Sequence, residues 1–463
     1  MQKNTIYTIL VLSVMSSVVS CNTGQKPSFT GAEGEVKLIT LDPGHFHAAL
    51  IQKNMYPRVN SEVFVYAPDG NDLNDHLDRI ESYNRRQDNP ASWNENVYRG
   101  ADFLAKMIAE KKGNVMITAG NNRKKTEYIK QSIDAGINVL ADKPMAINTD
   151  NFELLKQAFA AAQQNNVLLY DIMTERFEIT TILQKEFSLL PEVFGLLEDG
   201  SPEQPAVTKE SVHHFAKYVS GVALKRPAWF FDVEQQGEGI VDVTTHLIDL
   251  VQWECFPEQT LDYTKDIQLV SAKRWATALT KEQFRQVTGL ADYPEFLAKD
   301  IRNDSLLVYA NGEINYRLKG KHAKVVVIWN YAAPEGTGDT HYSIMRGTKA
   351  NLVIRQGAEQ NYKPALYIEP TANKAAFEQA TLISQFAKVQ EKYPGIELKK
   401  TETGWEVLIP EKYRNGHEAH FGQVTERYLQ YLLDGKLPEW EVPNMIAKYY
   451  TTTYALKLAN EMK

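Results

Sequence analysis

Short apolar runs alternate with amphipathic stretches through the first third of the chain. Residues 35–41, 62–66, 114–118, 137–141 and 167–170 are brief Val-, Ile- and Leu-rich runs bounded by turn residues, and they read as strands. Residues 71–86, 101–109 and 123–135 read as helices, the last closed by Gly136, and 87–93 as a loop. Strand–helix alternation of this length predicts a parallel doubly wound sheet, whose ligands bind beyond the carboxyl ends of the strands. The pattern then changes. After a helix over 178–189, residues 211–219 alternate as a strand would, which puts His213 and His214 on opposite faces. Residues 267–271, 304–309, 314–318, 324–329, 341–345 and 351–355 also read as strands, with turns at Asn311-Gly312 and Arg346-Gly347. A helix over 421–433 follows Asn415-Gly-His-Glu-Ala-His420, where His417 and His420 either reach a cleft or decorate a solvated helix start.

The fold class is therefore α/β: a Rossmann-like parallel-sheet domain over 35–172, then an α+β domain over 173–463 with an open, largely antiparallel sheet. Ahead of both, Lys3 and the apolar run 6–19 resemble an export signal too short to span a membrane comfortably. The run ends in Val18-Val19-Ser20-Cys21, similar to a bacterial lipobox. This places the signal at 1–21, a lipid on Cys21, and a polar tether at 22–34 that anchors the protein to the envelope, facing the periplasm. Cys255 is the only other cysteine, so neither an intramolecular disulfide nor a cysteine metal site is expected in the mature chain. At 463 residues with 43% hydrophobic and 24% charged positions, the chain is an ordinary folded protein of about two domains. A net charge of −7 without a basic block argues against a nucleic-acid partner.

Three stretches carry candidate chemistry. In Gly237–Trp253, a helix from about Ile240 places Asp242 and His246 on one face with Asp249 a turn further on, either an acid/base pair or a buried structural pair. After the first strand, Asp42-Pro-Gly-His-Phe-His47 stands where a dinucleotide fold carries G-x-G-x-x-G. Asp42, Gly44 and His47 take the glycine positions, and only the middle glycine survives. Asp69, at the end of the second strand, is placed either for a ribose hydroxyl or for ordinary turn chemistry. Lys225–Asp232 mixes cations with Trp229, Phe230 and Phe231, as a sugar-stacking loop or a core anchor would. The His213/His214 spacing does not suit one metal ion, and no metal is expected.

The order of strand-turn-helix, Gly-Ile-Asn-Val-Leu-Ala-Asp142-Lys143-Pro144, Arg176-Phe177, and Asp242-x-x-x-His246-x-x-Asp249 resembles the Gfo/Idh/MocA family of nicotinamide-dependent oxidoreductases. The resemblance implies that Lys143 lies between substrate and nicotinamide and that Asp242 and His246 complete the catalytic group. It implies a bound NAD or NADP lined by Asp42, Gly44, His45, Phe46, His47, Asp69, Gly120, Asn121, Asn122, Asp142 and Lys143. A carbohydrate or polyol would lie against Arg176, Lys217, Arg226, Trp229 and Asp249, in a homo-oligomer built through the open sheet. Asp142 stands where the family carries Glu. Two alternatives remain: a glycosidase that oxidises its sugar transiently with retained cofactor, and a non-catalytic sugar-binding lipoprotein.

Overall fold

The computed structural model describes residues 29–219, 222–371 and 378–462; the expected signal, Cys21 and the tether up to residue 28 lie outside these. Six parallel strands form the first sheet: β1 (Leu38–Leu41), β2 (Glu62–Ala67), β3 (Asn94–Arg99), β4 (Val115–Thr118), β5 (Asn138–Asp142) and β6 (Leu169–Ile172). Their order is β3-β2-β1-β4-β5-β6. Every residue of β1, β4, β5 and β6 is buried, as a sheet covered on both faces requires. The order reverses between β1 and β4, so a crevice opens at their carboxyl ends. Helices α1 (His47–Leu50), α2 (Asn71–Arg85), α3 (Phe103–Glu110), α4 (Lys125–Asp134) and α5 (Thr149–Asn165) make the crossovers.

Two elements differ from expectation. The helix after β1 is a single turn, because the chain bends away through Asn54 and Pro57 before β2. Strand β3, expected as no element at all, is a polar edge strand with most of its side chains in solvent, so it carries no apolar signal.

The second sheet follows α6 (Ile179–Ser188) and begins with β7 (Val207–Ala216) and a small hairpin, β8 (Tyr218–Val219) and β9 (Val222–Ala223). It continues through α7 (Val233–Gln236), α8 (Thr244–Cys255), β10 (Ile267–Thr280), α9 (Lys281–Thr288), β11 (Ile301–Arg302), β12 (Ser305–Leu318) and β13 (Lys321–Ala332). Strands β14 (Thr340–Arg346), β15 (Ala350–Gln356) and β16 (Ala365–Pro370), helix α10 (Gln379–Lys392), and strands β17 (Glu397–Lys400) and β18 (Trp405–Leu408) complete it. The order β10-β12-β13-β7-β14-β15-β16-β18-β17 is antiparallel at every junction except β13/β7, which is parallel, with β11 added beside β12.

Asn311-Gly312 is not a turn but the middle of β12. The Asn311 amide donates to the Trp275 carbonyl and its oxygen accepts from Trp329 N–H, which ties three strands together. Gly312 leaves room for Ile240, whose Cα would lie 2.8 Å from an added Cβ. Gly239 passes so close to the Ala310 carbonyl that no side chain fits there, and its N–H donates to the Tyr309 carbonyl at 3.0 Å. The two glycines seat the segment before α8 on the second sheet.

The last helices, α11 (His417–Asp434) and α12 (Glu441–Glu461), return to the first domain. Phe421, Tyr428 and Tyr449 are buried in one core with Leu41, Ile117 and Tyr170. A division at residue 172 therefore does not separate two packing units.

Candidate active site

Helix α8 begins at Thr244, four residues later than its pattern suggests, and Asp242 lies in the turn before it. The Thr244 and Thr245 hydroxyls donate to the Ile240 and Val241 carbonyls in that turn. Asp242 consequently faces the first domain, where one oxygen accepts from Lys143 Nζ at 2.7 Å and the other from Gln236 Nε2 at 3.1 Å. It positions the lysine, and not, as expected, the imidazole of His246. Burial alone would lower the Lys143 ammonium, but the charges of Asp242 and Asp142 prevail and hold it above its ordinary value. His246 is held neutral, first by burial and then by the Lys143 charge, and its buried Nδ1 has no hydrogen-bond partner. Lys143 follows directly on β5, so its backbone is fixed at the crevice by the sheet.

Glu175, which the sequence reading missed, joins this group. It sits on the 3₁₀ turn Thr174–Phe177 after β6, and burial, reinforced by the Glu178 charge, pushes its carboxyl up to about 7 against the pull of Thr174 and Lys143. Its only signal in the sequence was its place beside Arg176-Phe177.

The loop after β1 is built differently from a glycine-rich loop. Asp42 adopts a positive φ of 48° and turns its carboxylate to the Tyr128 hydroxyl at 3.0 Å, away from the crevice. Gly44 N–H and His45 N–H both donate to the Ala119 carbonyl at 3.1 Å. Gly120 permits this closeness, since a Cβ there would stand 2.7 Å from Gly44 N. Beyond the loop, His47 Nδ1 bonds Asp142 Oδ2 at 2.9 Å, with His45 Nδ1 3.9 Å from the same oxygen.

Gly44, His45, Phe46, Asp72, Arg226 and Trp229 line a cavity of about 480 Å³ between the domains. Trp229 Nε1 donates to Asp72 Oδ2 at 2.8 Å, and both side chains lie against Gly44. Arg226 is buried under Phe230 and Trp329 and hydrogen-bonds the Phe215 and His214 carbonyls rather than a carboxylate. Asn121 and Asn122 reach across to Gln235 and Gln236 and join the domains. Asp69 is exposed on the rim and pairs with Arg99 at 2.7 Å.

Arg176 and Asp249, both expected at the substrate, are placed elsewhere. Arg176 forms a bidentate pair with Asp249 at 2.6 and 2.7 Å and also meets Glu441, all buried. Lys448 then links Asp249 to Asp171. This network fastens α8 and α12 to β6 and does not face the crevice. Lys217 pairs with Asp339, which also bonds His214 at 2.9 Å and approaches His213 at 3.5 Å. Asp339, just before β14, thus gathers two histidines that strand alternation placed on opposite faces.

The comparisons with known proteins agree with this architecture. Residues 72–171 match a family described as "Oxidoreductase family, NAD-binding Rossmann fold", and residues 183–460 match "Putative oxidoreductase C terminal domain". A crystal structure described as a "putative oxidoreductase from Parabacteroides merdae ATCC 43184" is 61% identical, with a TM-score of 0.93 over 94% of this chain and 100% of that one. The chain belongs to the Gfo/Idh/MocA oxidoreductase family. Solved structures of low identity share the fold. Levoglucosan dehydrogenase, in complex with NADH and levoglucosan, is 11% identical with a TM-score of 0.60 over 92% of this chain and 98% of its own. GenD2 from gentamicin A biosynthesis, in complex with NAD, is 15% identical with a TM-score of 0.56 over 95% and 98%. A search of curated proteins finds no match.

As a Gfo/Idh/MocA protein the chain has an NAD-binding Rossmann domain, but its residues suit the cofactor in an unusual way. Two loop amides are spent on Ala119, and α1 is too short to contribute much dipole. The group on the cavity wall suited to a pyrophosphate is the buried Arg226 guanidinium, a cation with carbonyls for partners, while Asp72 and Trp229 cover Gly44. Asp69, at the end of β2, is the residue that would reach an adenine ribose.

Proposed function

We propose that this oxidoreductase acts on a hydroxyl group of a carbohydrate or polyol with NAD or NADP retained in the interdomain cavity. The observation that carries the proposal is the Lys143–Asp242 pair, held at 2.7 Å beside a neutral His246. The nicotinamide supplies hydride exchange at carbon when bound. The residues of this chain handle the proton and the charge. His246, uncharged and unpartnered at Nδ1, accepts the hydroxyl proton. Lys143 stabilises the oxygen as it gains negative charge, and Asp242 keeps that ammonium in place. Glu175, titrating near 7, is suited to pass the proton onward.

The support for a sugar is the fold shared with levoglucosan dehydrogenase, solved in complex with NADH and levoglucosan. Turnover is read as absorbance of reduced cofactor with a panel of sugars and polyols, and Lys143→Ala should lower kcat/KM by about 10²–10⁴-fold. Retention of turnover within tenfold would sink the mechanism.

Export of the chain, which the Val18–Cys21 pattern suggests and which removes it from the cytoplasmic dinucleotide pool, favours a second reading, in which the cofactor is recycled rather than exchanged and the net reaction is cleavage of a glycosidic bond. Release of reducing sugar without net cofactor reduction would select it. The protein is also taken to be exported and lipid-anchored through Cys21, as the Val18–Cys21 pattern suggests. A Cys21→Ala chain that partitioned with membranes like the wild type would refute that anchor.

A further inference from the structure

We propose that His45, His47 and Asp142 form a site for one divalent transition-metal ion, with zinc the occupant favoured by the donors. One ligand atom from each residue lies within 4.8 Å of the other two. Tetrahedral ligands at about 2.1 Å from zinc stand roughly 3.4 Å apart, so small side-chain rotations close the set. Two imidazoles and one carboxylate are the donors of open zinc and non-haem iron sites, and three protein ligands leave a further position for an oxygen donor.

The surroundings suit an ion. The His45 and His47 rings meet edge-on with centroids 3.9 Å apart, and the His417 ring from α11 packs with its centroid 5.3 Å from that of His47. Lys125, on α4, donates to the Asp142 carbonyl at 3.1 Å and fixes the ligand's backbone. Of the other cations near the two histidines, Lys143 is paired with Asp242 and Lys217 with Asp339, and Arg226 stands on the cavity wall. Packing alone would be served by the His47–Asp142 bond. His45 adds a third donor that is partly exposed and lines the cavity, so the open position faces a space able to take a water or a substrate hydroxyl.

The site goes beyond the redox proposal and does not depend on it. It also departs from the absence of metal expected from the sequence, because its ligands lie 95 residues apart and the His45-Phe-His47 pair was absorbed into the phosphate-loop comparison. The full-length chain, purified with a histidine-free tag and without chelator, is assayed for metals by plasma mass spectrometry. It is then stripped and titrated with Co²⁺ by visible absorption, with Zn²⁺ as competitor. About one equivalent of metal and a d–d spectrum are expected. His47→Ala and Asp142→Asn should each weaken binding by more than about 100-fold, while His213→Ala leaves it unchanged. If His47→Ala fails to fold by circular dichroism, His45→Gln carries the same test from a partly exposed position. No retained metal together with no cobalt spectrum overturns the proposal, as does binding in the two ligand variants within threefold of wild type. Dinucleotide released on denaturing the same sample is assayed separately. Metal without dinucleotide supports this site while counting against the redox proposal, and a metal-free, cobalt-silent protein that releases dinucleotide does the reverse.

Discussion

The Lys143 ammonium remains charged in a buried crevice because Asp242 stands 2.7 Å away, and removing that charge reverses the balance. In Asp242→Asn, burial dominates and the lysine titrates lower. The alkaline limb of the kcat/KM profile should then move down by about 1–3 pH units, with the acid limb little changed. A profile identical to wild type would show that Lys143 is not read by turnover. Glu175 gives a second test with the opposite sign. Its folded-state pKa is raised from the ordinary 4.5 to about 7, so the folded protein holds a proton that the unfolded chain releases, and stability declines across that window. Glu175→Gln should therefore be more stable than wild type by about 1–3 kcal/mol at pH 8 and not at pH 4, measured by urea unfolding. The site was only partly legible from sequence. Lys143 was marked by its place at a strand's carboxyl end, whereas the partner of Asp242 was misjudged because helical spacing says nothing about where a helix begins. Two threonine hydroxyls move that start to Thr244.

Helix α8 shows how a motif can serve two purposes. Its leading turn presents Asp242 to the crevice, while Asp249, on the body of the helix, receives Arg176 and Lys448 in the interior. Burial would raise the Asp249 carboxyl, but the charges and hydrogen bonds of Arg176 and Lys448 drive it well below its usual range. The stabilisation is thus present above the unfolded carboxylate range and lost as pH falls. Asp249→Ala leaves two buried cations under-compensated and should cost about 3–5 kcal/mol in urea unfolding. A loss of only a few tenths would return Asp249 to the substrate-binding role that its spacing from His246 suggested. Among the elements, the buried strands of the first sheet were readable because each is a short continuous apolar run. Strand β3 was not, since an exposed edge has no reason to be apolar, and β12 was split in two because Asn-Gly reads as a hairpin turn unless the approach of Ile240 is known. Helix α12 escaped because its buried positions are threonine, lysine and asparagine as well as tyrosine, which blurs the apolar stripe.

At the scale of the whole molecule, the two domains meet over the cofactor crevice, and one contact across it holds a negative charge where an anionic ligand is expected. Trp229 donates to Asp72 at 2.8 Å, and the pair lies against Gly44 on the surface that would face a pyrophosphate. Burial pushes the Asp72 carboxyl up to about 6, the Trp229 bond working against that and the charges of Asp42 and Asp75 adding to it. Above pH 6 the group is ionised and repels phosphate; below it the repulsion disappears. Affinity for dinucleotide should therefore rise as pH falls through 6, whereas deprotonating a bystander would leave it flat. Asp72→Asn keeps a hydrogen-bond acceptor for Trp229 and removes the charge. It should bind NAD about tenfold more tightly than wild type at pH 7.5, equivalent to ~1.4 kcal/mol, and show no inflection near 6 by calorimetry. Weaker binding in that variant would mean that the carboxylate grips a ribose hydroxyl, with the tryptophan holding it in place, and the contact would then be part of the cofactor cradle and not an obstacle to it.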